Sequence, residues 1–146
     1  MSPETLFAIC SWLAVFGWLL LVFAPGWKWS ARVIAGVVIP LLLGLLYLYL
    51  IITHFRESGG GFGSLAEVSQ LFRNPYNLLA GWIHYLAFDL FIGSWEVRDA
   101  RRLGIHHLLV VPCLLLTFML GPIGLLLYFL LRSVLKRRFI FDEESA

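Results

Sequence analysis

Gly81-Trp82-Ile83-His84-Tyr85-Leu86-Ala87-Phe88-Asp89, continuing through Glu96 to Asp99, is the stretch on which the reading of this chain turns. It is apolar enough to lie in a bilayer, yet it carries a histidine and carboxylates where hydrocarbon makes them costly. A charge at the centre of a membrane helix costs roughly 2.5–3.5 kcal/mol on insertion scales, so an ionisable residue at that depth is a candidate for function. At about 100° per residue, Trp82, Tyr85, Asp89, Ile92, Glu96 and Asp99 form one continuous helical stripe. His84 stands roughly 140° from Asp89 on the same wheel, so the two side chains point at different neighbours.

The surroundings make this helix part of a membrane protein. The chain has 146 residues, of which 60% are hydrophobic, and 11 Lys and Arg against 9 Asp and Glu. Its mean hydropathy is +0.86. That composition excludes a soluble domain, and with basic residues gathered at the ends of apolar runs it gives no surface for nucleic acid. Cys10 and Cys113 lie within apolar stretches and read as buried thiols that pack as small hydrophobes.

Helical spacing and length predict an all-α bundle of four transmembrane helices with a short interfacial helix. The spans are expected at residues 5–24, 30–53, 76–97 and 105–132, each near the 20 residues that cross a core of roughly 30 Å. Residues 1–138 form one transmembrane domain in this reading, and 139–146 an acidic, disordered tail. Pro40 predicts a kink near Ile39 in the second span. Ser64 with Glu67 has the form of a capping box ahead of Leu65, Val68, Leu71 and Phe72, which predicts a short surface helix after the glycine run Ser58–Gly63. Tyr47 and Tyr49 serve as interface anchors or line a groove.

The last apolar stretch is ambiguous. Between Ile105 and Leu131 it measures about 40 Å as a helix, long for one crossing and short for two. We read it as one long helix kinked at Gly121-Pro122, with five spans as the alternative. Charge favours the alternative: with four spans the basic residues divide almost evenly, whereas with five, Arg56 and Arg73 stand alone against all the others.

The blocks Asn74-Pro75, Leu79–Phe91, Trp95-Glu96-Val97-Arg98-Asp99-Ala100, Leu108–Cys113, Leu116-Thr117-Phe118 and Gly121-Pro122 resemble the plant neoxanthin synthase family, the membrane protein missing in an abscisic-acid-deficient mutant. The likeness runs through most of the chain to about Arg132. Without a plastid transit sequence the chain reads as a bacterial member, multi-pass in the inner membrane. The resemblance implies isomerase chemistry on a carotenoid or related isoprenoid lipid: an epoxide opens, a chain proton leaves, and no redox cofactor is called for. It implies a lipid or carotenoid as partner; the chain's own assembly is left open, a homo-oligomer among the alternatives.

Such chemistry asks for an acid at the epoxide oxygen and a base for the chain proton. Asp89, Glu96 and Asp99 are the candidate acids or cation stabilisers and His84 the candidate base. Asn77, Trp82, Tyr85, Arg98, His106 and His107 are candidate substrate contacts, the aromatics by offering π faces to a polyene or a cation. Two other readings use the same residues. Buried polar groups can knit membrane helices together, and Asp89 with His84 could serve a lipid-binding accessory protein or a small proton path. A metal set from Glu96, Asp99, His106 and His107 is disfavoured, since adjacent histidines leave a helix on different sides and no spaced histidine box occurs. No metal is expected.

Overall fold

The computed structural model describes residues 1–136, and within them every regular element is helical. The chain runs through α1 (Pro3–Phe23), a π-helix (Ser30–Val38) that passes directly into α2 (Ile39–His54), a 3-10 turn (Phe55–Ser58), α3 (Leu65–Leu71), α4 (Pro75–Arg102), α5 (His107–Leu120) and α6 (Pro122–Lys136). Three helical segments, Pro3–Phe23, Ser30–Ser58 and Pro75–Arg102, are long and apolar enough to cross a membrane. The protein is an all-α membrane protein. The acidic tail expected at 139–146 lies outside the described residues.

Local chemistry sets the ends. Ser2 caps α1 by accepting from the Thr5 N–H, with Pro3 in the first turn. Asn74 caps α4 through Oδ1, 2.9 Å from the Tyr76 nitrogen, and Pro75 again opens the helix. The far end of α4 is a Schellman motif. Gly104 adopts a positive φ of 63°, its N–H reaches the Arg101 carbonyl, and the Ile105 N–H reaches that of Ala100 at 2.8 Å. This carries α4 to Arg102, past the expected end at 97. Ser64 caps α3 as expected, but Glu67 bonds the Gly63 N–H at 3.1 Å, one residue beyond the reciprocal partner of a capping box.

The kink expected near Ile39 is replaced by the π-helix before Pro40. A proline ring crowds the carbonyl four residues back, and the wider turn relieves that contact without breaking the helix.

Contacts along α4 fix the direction of its neighbours. The Phe7 ring lies 5.5 Å from that of Trp82, Trp18 packs on Gly93, and the Pro25 carbonyl accepts from Arg101, so α1 runs parallel to α4. Ala31 meets Arg98, Tyr47 meets His84 and the His54 carbonyl meets Asn77, so α2 is antiparallel. At Gly93 no side chain would fit, because the Trp18 ring occupies the space a Cβ would take. Buried apolar residues from all three long helices make the core, among them Ala14, Leu21, Leu43, Ile83 and Leu90. Large apolar side chains such as Trp12, Leu45, Ile52 and Phe88 are exposed, as a lipid-facing surface requires.

The last apolar stretch is not one long kinked helix. Helix α5 descends from His107, which bonds the Val22 carbonyl, to Phe118, whose carbonyl accepts from Tyr85. At Gly121 the backbone takes φ 49° and ψ −100°, and α6 sets off again. Gly121 sits at Asp89, and Tyr128 and Arg132 sit at Asp99, so α6 ascends alongside α4 toward the end from which α5 came. The two short helices form a hairpin whose tip reaches the middle of α4. This also resolves the conflict of length with charge: a hairpin returns the chain to its starting side, as a fifth span would, in about half the length. Lys28, Arg32, Arg98, Arg101, Arg102, Arg132 and Lys136 then share one end of the bundle, with Arg56 and Arg73 at the other.

Candidate functional site

The carboxylates of α4 face the hairpin, as the helical stripe requires. At the tip, a Cβ on Gly121 would stand 3.2 Å from both oxygens of Asp89, and the Tyr85 hydroxyl, which donates to the Phe118 carbonyl at 2.8 Å, lies beside the same carboxyl. Asp89 is partly exposed, and its buried Oδ2 has no hydrogen-bond partner. Two turns further on, Glu96 is completely buried. It accepts from Thr117 Oγ1 at 3.0 Å through Oε1, and its Oε2 is unpartnered. At Asp99, Oδ2 accepts from Tyr128 Oη at 2.8 Å and lies 3.3 Å from Arg132 Nε, while Oδ1 lies 3.2 Å from Arg102 Nη2. The result is a polar ladder along the seam between α4 and the hairpin, from mid-helix to the basic end.

His84 is absent from that seam. It faces α2, with its ring 5.8 Å from the Tyr47 ring and stacked on Phe88 at 4.6 Å. Here a cleft of about 350 Å³ opens between α2, α3 and α4. Its walls are Tyr47, Ile51, Phe62, Leu71 and Phe72, and its polar lining is Asn77 and His84. Asn77 is buried and donates Nδ2 to the His54 carbonyl, and its Oδ1 has no partner. Phe62 and Phe72 bring the glycine-rich loop and the end of α3 over this cleft, so the surface helix forms part of a wall.

The other sequence candidates disperse. Trp82 belongs to the same stripe as Asp89, but the hairpin stops at Asp89, and Trp82 instead meets α1, donating Nε1 to Ser11 Oγ at 3.1 Å and stacking on Tyr85. Arg98 crosses to the π-helix and donates Nη1 to the Ala31 carbonyl and to Ser94 Oγ, both at 2.9 Å. His106 is exposed at the start of α5, and His107 is spent on the Val22 carbonyl. Among the described residues, no three His, Cys, Asp or Glu side chains gather where they could hold a metal ion.

Sequence reasoning passed over Thr117, Tyr128 and Arg132, which complete the ladder. The signal was a helical repeat: Tyr128 and Arg132 lie four residues apart in an otherwise apolar run, and both are fully buried. It also left Tyr47 open between anchor and groove, and Tyr47 lines the cleft.

One polar helix, held between apolar neighbours and a half-length hairpin, defines a small all-α integral membrane protein. Within that class the chain belongs to the ABA DEFICIENT 4-like family, whose family model matches residues 5–128. This is the family that the blocks between Asn74 and Pro122 resemble. Protein ABA DEFICIENT 4, chloroplastic, of Arabidopsis thaliana is 23% identical over 146 residues, covering 93% of this chain. The chain spans 64% of that relative's length. No solved structure matches the chain.

Proposed function

We propose that this protein is a multi-pass membrane isomerase acting on a carotenoid or related isoprenoid lipid, with epoxide opening as in neoxanthin synthesis as the guiding chemistry. The observation that carries this reading is the cleft at His84. It combines apolar and aromatic walls with a few convergent polar groups, which is how sites for lipophilic molecules are built. Its volume suits the oxygenated end ring of such a lipid, with the polyene lying against the exposed apolar faces.

In this reading His84 takes the chain proton, and the Tyr47 hydroxyl polarises the epoxide oxygen as its C–O bond breaks. The unpartnered Asn77 Oδ1 accepts from a hydroxyl on the ring. Opening of the epoxide and loss of the chain proton leave atoms and electrons balanced once a proton returns to oxygen, so the chemistry is a rearrangement. Asp89 stands on another face of α4, partly exposed, and is a second proton site reachable from the bilayer. Glu96 and Asp99 are buried in the seam and support the hairpin.

The test is a pigment comparison. Cells that accumulate an epoxycarotenoid are given the wild-type gene, the His84→Gln variant or an empty vector, and extracted pigments are resolved. Conversion of the epoxide to an isomer by wild type alone supports the reading. Pigment that copurifies with the protein unchanged would instead assign it a binding role.

A second reading rests on the ladder itself, which extends polar groups from the middle of α4 to the basic end. A proton path would use such a series. Proton flux into proteoliposomes that disappears in Asp89→Asn would favour it over the enzyme.

A further inference from the structure

At the basic end of the bundle, Arg32, Arg98, Arg101 and Arg102 line a cavity of about 490 Å³. It lies apart from the His84 cleft and touches the ladder only where Arg102 meets Asp99, and the proposed chemistry makes no use of it. Three of its guanidinium groups are fixed by the protein. Arg98 is anchored through Nη1 to Ala31 and Ser94, and Gly36 of the π-helix makes this approach available, since a Cβ there would come within 2.7 Å of the same nitrogen. Arg101 is tied at 2.7 Å to the Pro25 carbonyl, and Arg102 to Asp99. Arg32 projects from the π-helix, exposed and close enough to Arg98 to repel it.

Among the described residues, ion pairs reach this cluster at Arg102 alone. Asp99 is shared by Arg102, Arg132 and Tyr128, and among the described residues no carboxylate forms an ion pair with Arg32, Arg98 or Arg101. Like charges gathered around a cavity repel at close range, and an anion between them turns that repulsion into attraction. Because each guanidinium has five N–H donors and Arg98 and Arg101 commit one nitrogen apiece to the protein, donors are left for a ligand. A planar fork of N–H groups suits the paired oxygens of a phosphate.

We propose that this cavity binds a phosphate-bearing group at the membrane surface. Its level fits: Trp27 and Trp29, both about half exposed, lie in the loop that leads into the π-helix, and indoles gather at headgroup depth. A lipid headgroup and a soluble phosphate compound share this chemistry, and basic pockets between membrane helices are a recurring form of headgroup site.

The full chain, purified in a neutral detergent, is titrated with fluorescent phosphatidylglycerol, with phosphatidylcholine as control, and in parallel with inorganic pyrophosphate as competitor. Saturable, salt-sensitive binding of phosphatidylglycerol is expected, with little binding of phosphatidylcholine. Arg32→Gln, at an exposed side chain with no hydrogen bond of its own in the described residues, should weaken binding about tenfold, the worth of one charge-assisted hydrogen bond. The Arg56→Gln/Arg73→Gln pair at the opposite end should leave it unchanged. Retention against millimolar pyrophosphate identifies the headgroup as the source, and displacement by micromolar pyrophosphate identifies a soluble phosphate compound. Equal binding of both lipids with no binding of pyrophosphate overturns the proposal, as does an Arg32→Gln affinity equal to wild type.

Discussion

Gly121 and Asp89 meet at the middle of the bundle, the glycine giving up the space that the carboxyl fills. A Cβ at Gly121 would lie 3.2 Å from each carboxyl oxygen, and the backbone there has a φ of 49° that side chains rarely adopt. Gly121→Ala therefore carries a backbone strain of about 1–3 kcal/mol and crowds the Asp89 carboxyl. Gly44, on α2, has nothing within 4 Å of its would-be Cβ. Gly44→Ala should be neutral or stabilising, since alanine has the higher helix propensity. Thermal unfolding in detergent would compare the two variants, and equal midpoints would remove the argued role of the hairpin tip.

The hairpin also makes a topological prediction. If α6 retraces α5, Lys28 and Lys136 lie on one side of the membrane and Arg73 on the other. Basic residues gather toward the cytoplasm, so the side holding Lys28 should report as the cytoplasmic one. Single cysteines at these positions, probed with a membrane-impermeant maleimide in sealed vesicles of known orientation, would report this directly. Cys10 and Cys113 are buried and add little background. A single kinked span would instead put position 136 on the side of position 73.

Removing the Asp99 carboxyl should be more damaging than removing a hydroxyl that points at it. Asp99→Ala takes a partner from the buried Arg132 and from Arg102 together, a loss of up to about 3–5 kcal/mol. Tyr128→Phe deletes one donor and should cost about 1 kcal/mol. A double-mutant cycle on Asp99 and Tyr128 should return a coupling of similar size to the smaller effect, because the two share one bond. Additive losses would mean the pair does not interact in the membrane.

How far the sequence could be read follows from which forces are local. The start of α4 was legible because Asn74 and Pro75 cap it, and the angle between His84 and Asp89 followed from helical geometry alone, whereas its end, expected at 97, lies at Arg102. The return of the chain at Gly121 was not legible. Gly-Pro serves equally in a kinked helix and in a tight reversal, and the choice between them rests on contacts with Asp89, Glu96 and Asp99, more than 20 residues away. The π-helix escaped for a related reason: Pro40 announces a disturbance, but a kink and a wider turn both relieve the crowding of its ring. The site was half legible. Wheel arithmetic collects the stripe, whereas the cleft depends on where the glycine-rich loop and α3 come to rest over His84.

The separation of cleft from ladder leads to a discriminating set of variants. If conversion happens at His84, then His84→Gln and Tyr47→Phe should each lower the rate of pigment conversion, His84→Gln by about 10²-fold or more, the usual worth of a proton-transfer group. Both side chains lie at the edge of the packed core, so stability should change little. Glu96→Gln should behave in the opposite way. An amide can still accept from Thr117 through its oxygen, and the buried side chain does not reach the cleft, so conversion should persist while the melting temperature moves. Loss of conversion in Glu96→Gln, with His84→Gln as active as wild type, would transfer the chemistry from the cleft to the seam beneath the hairpin.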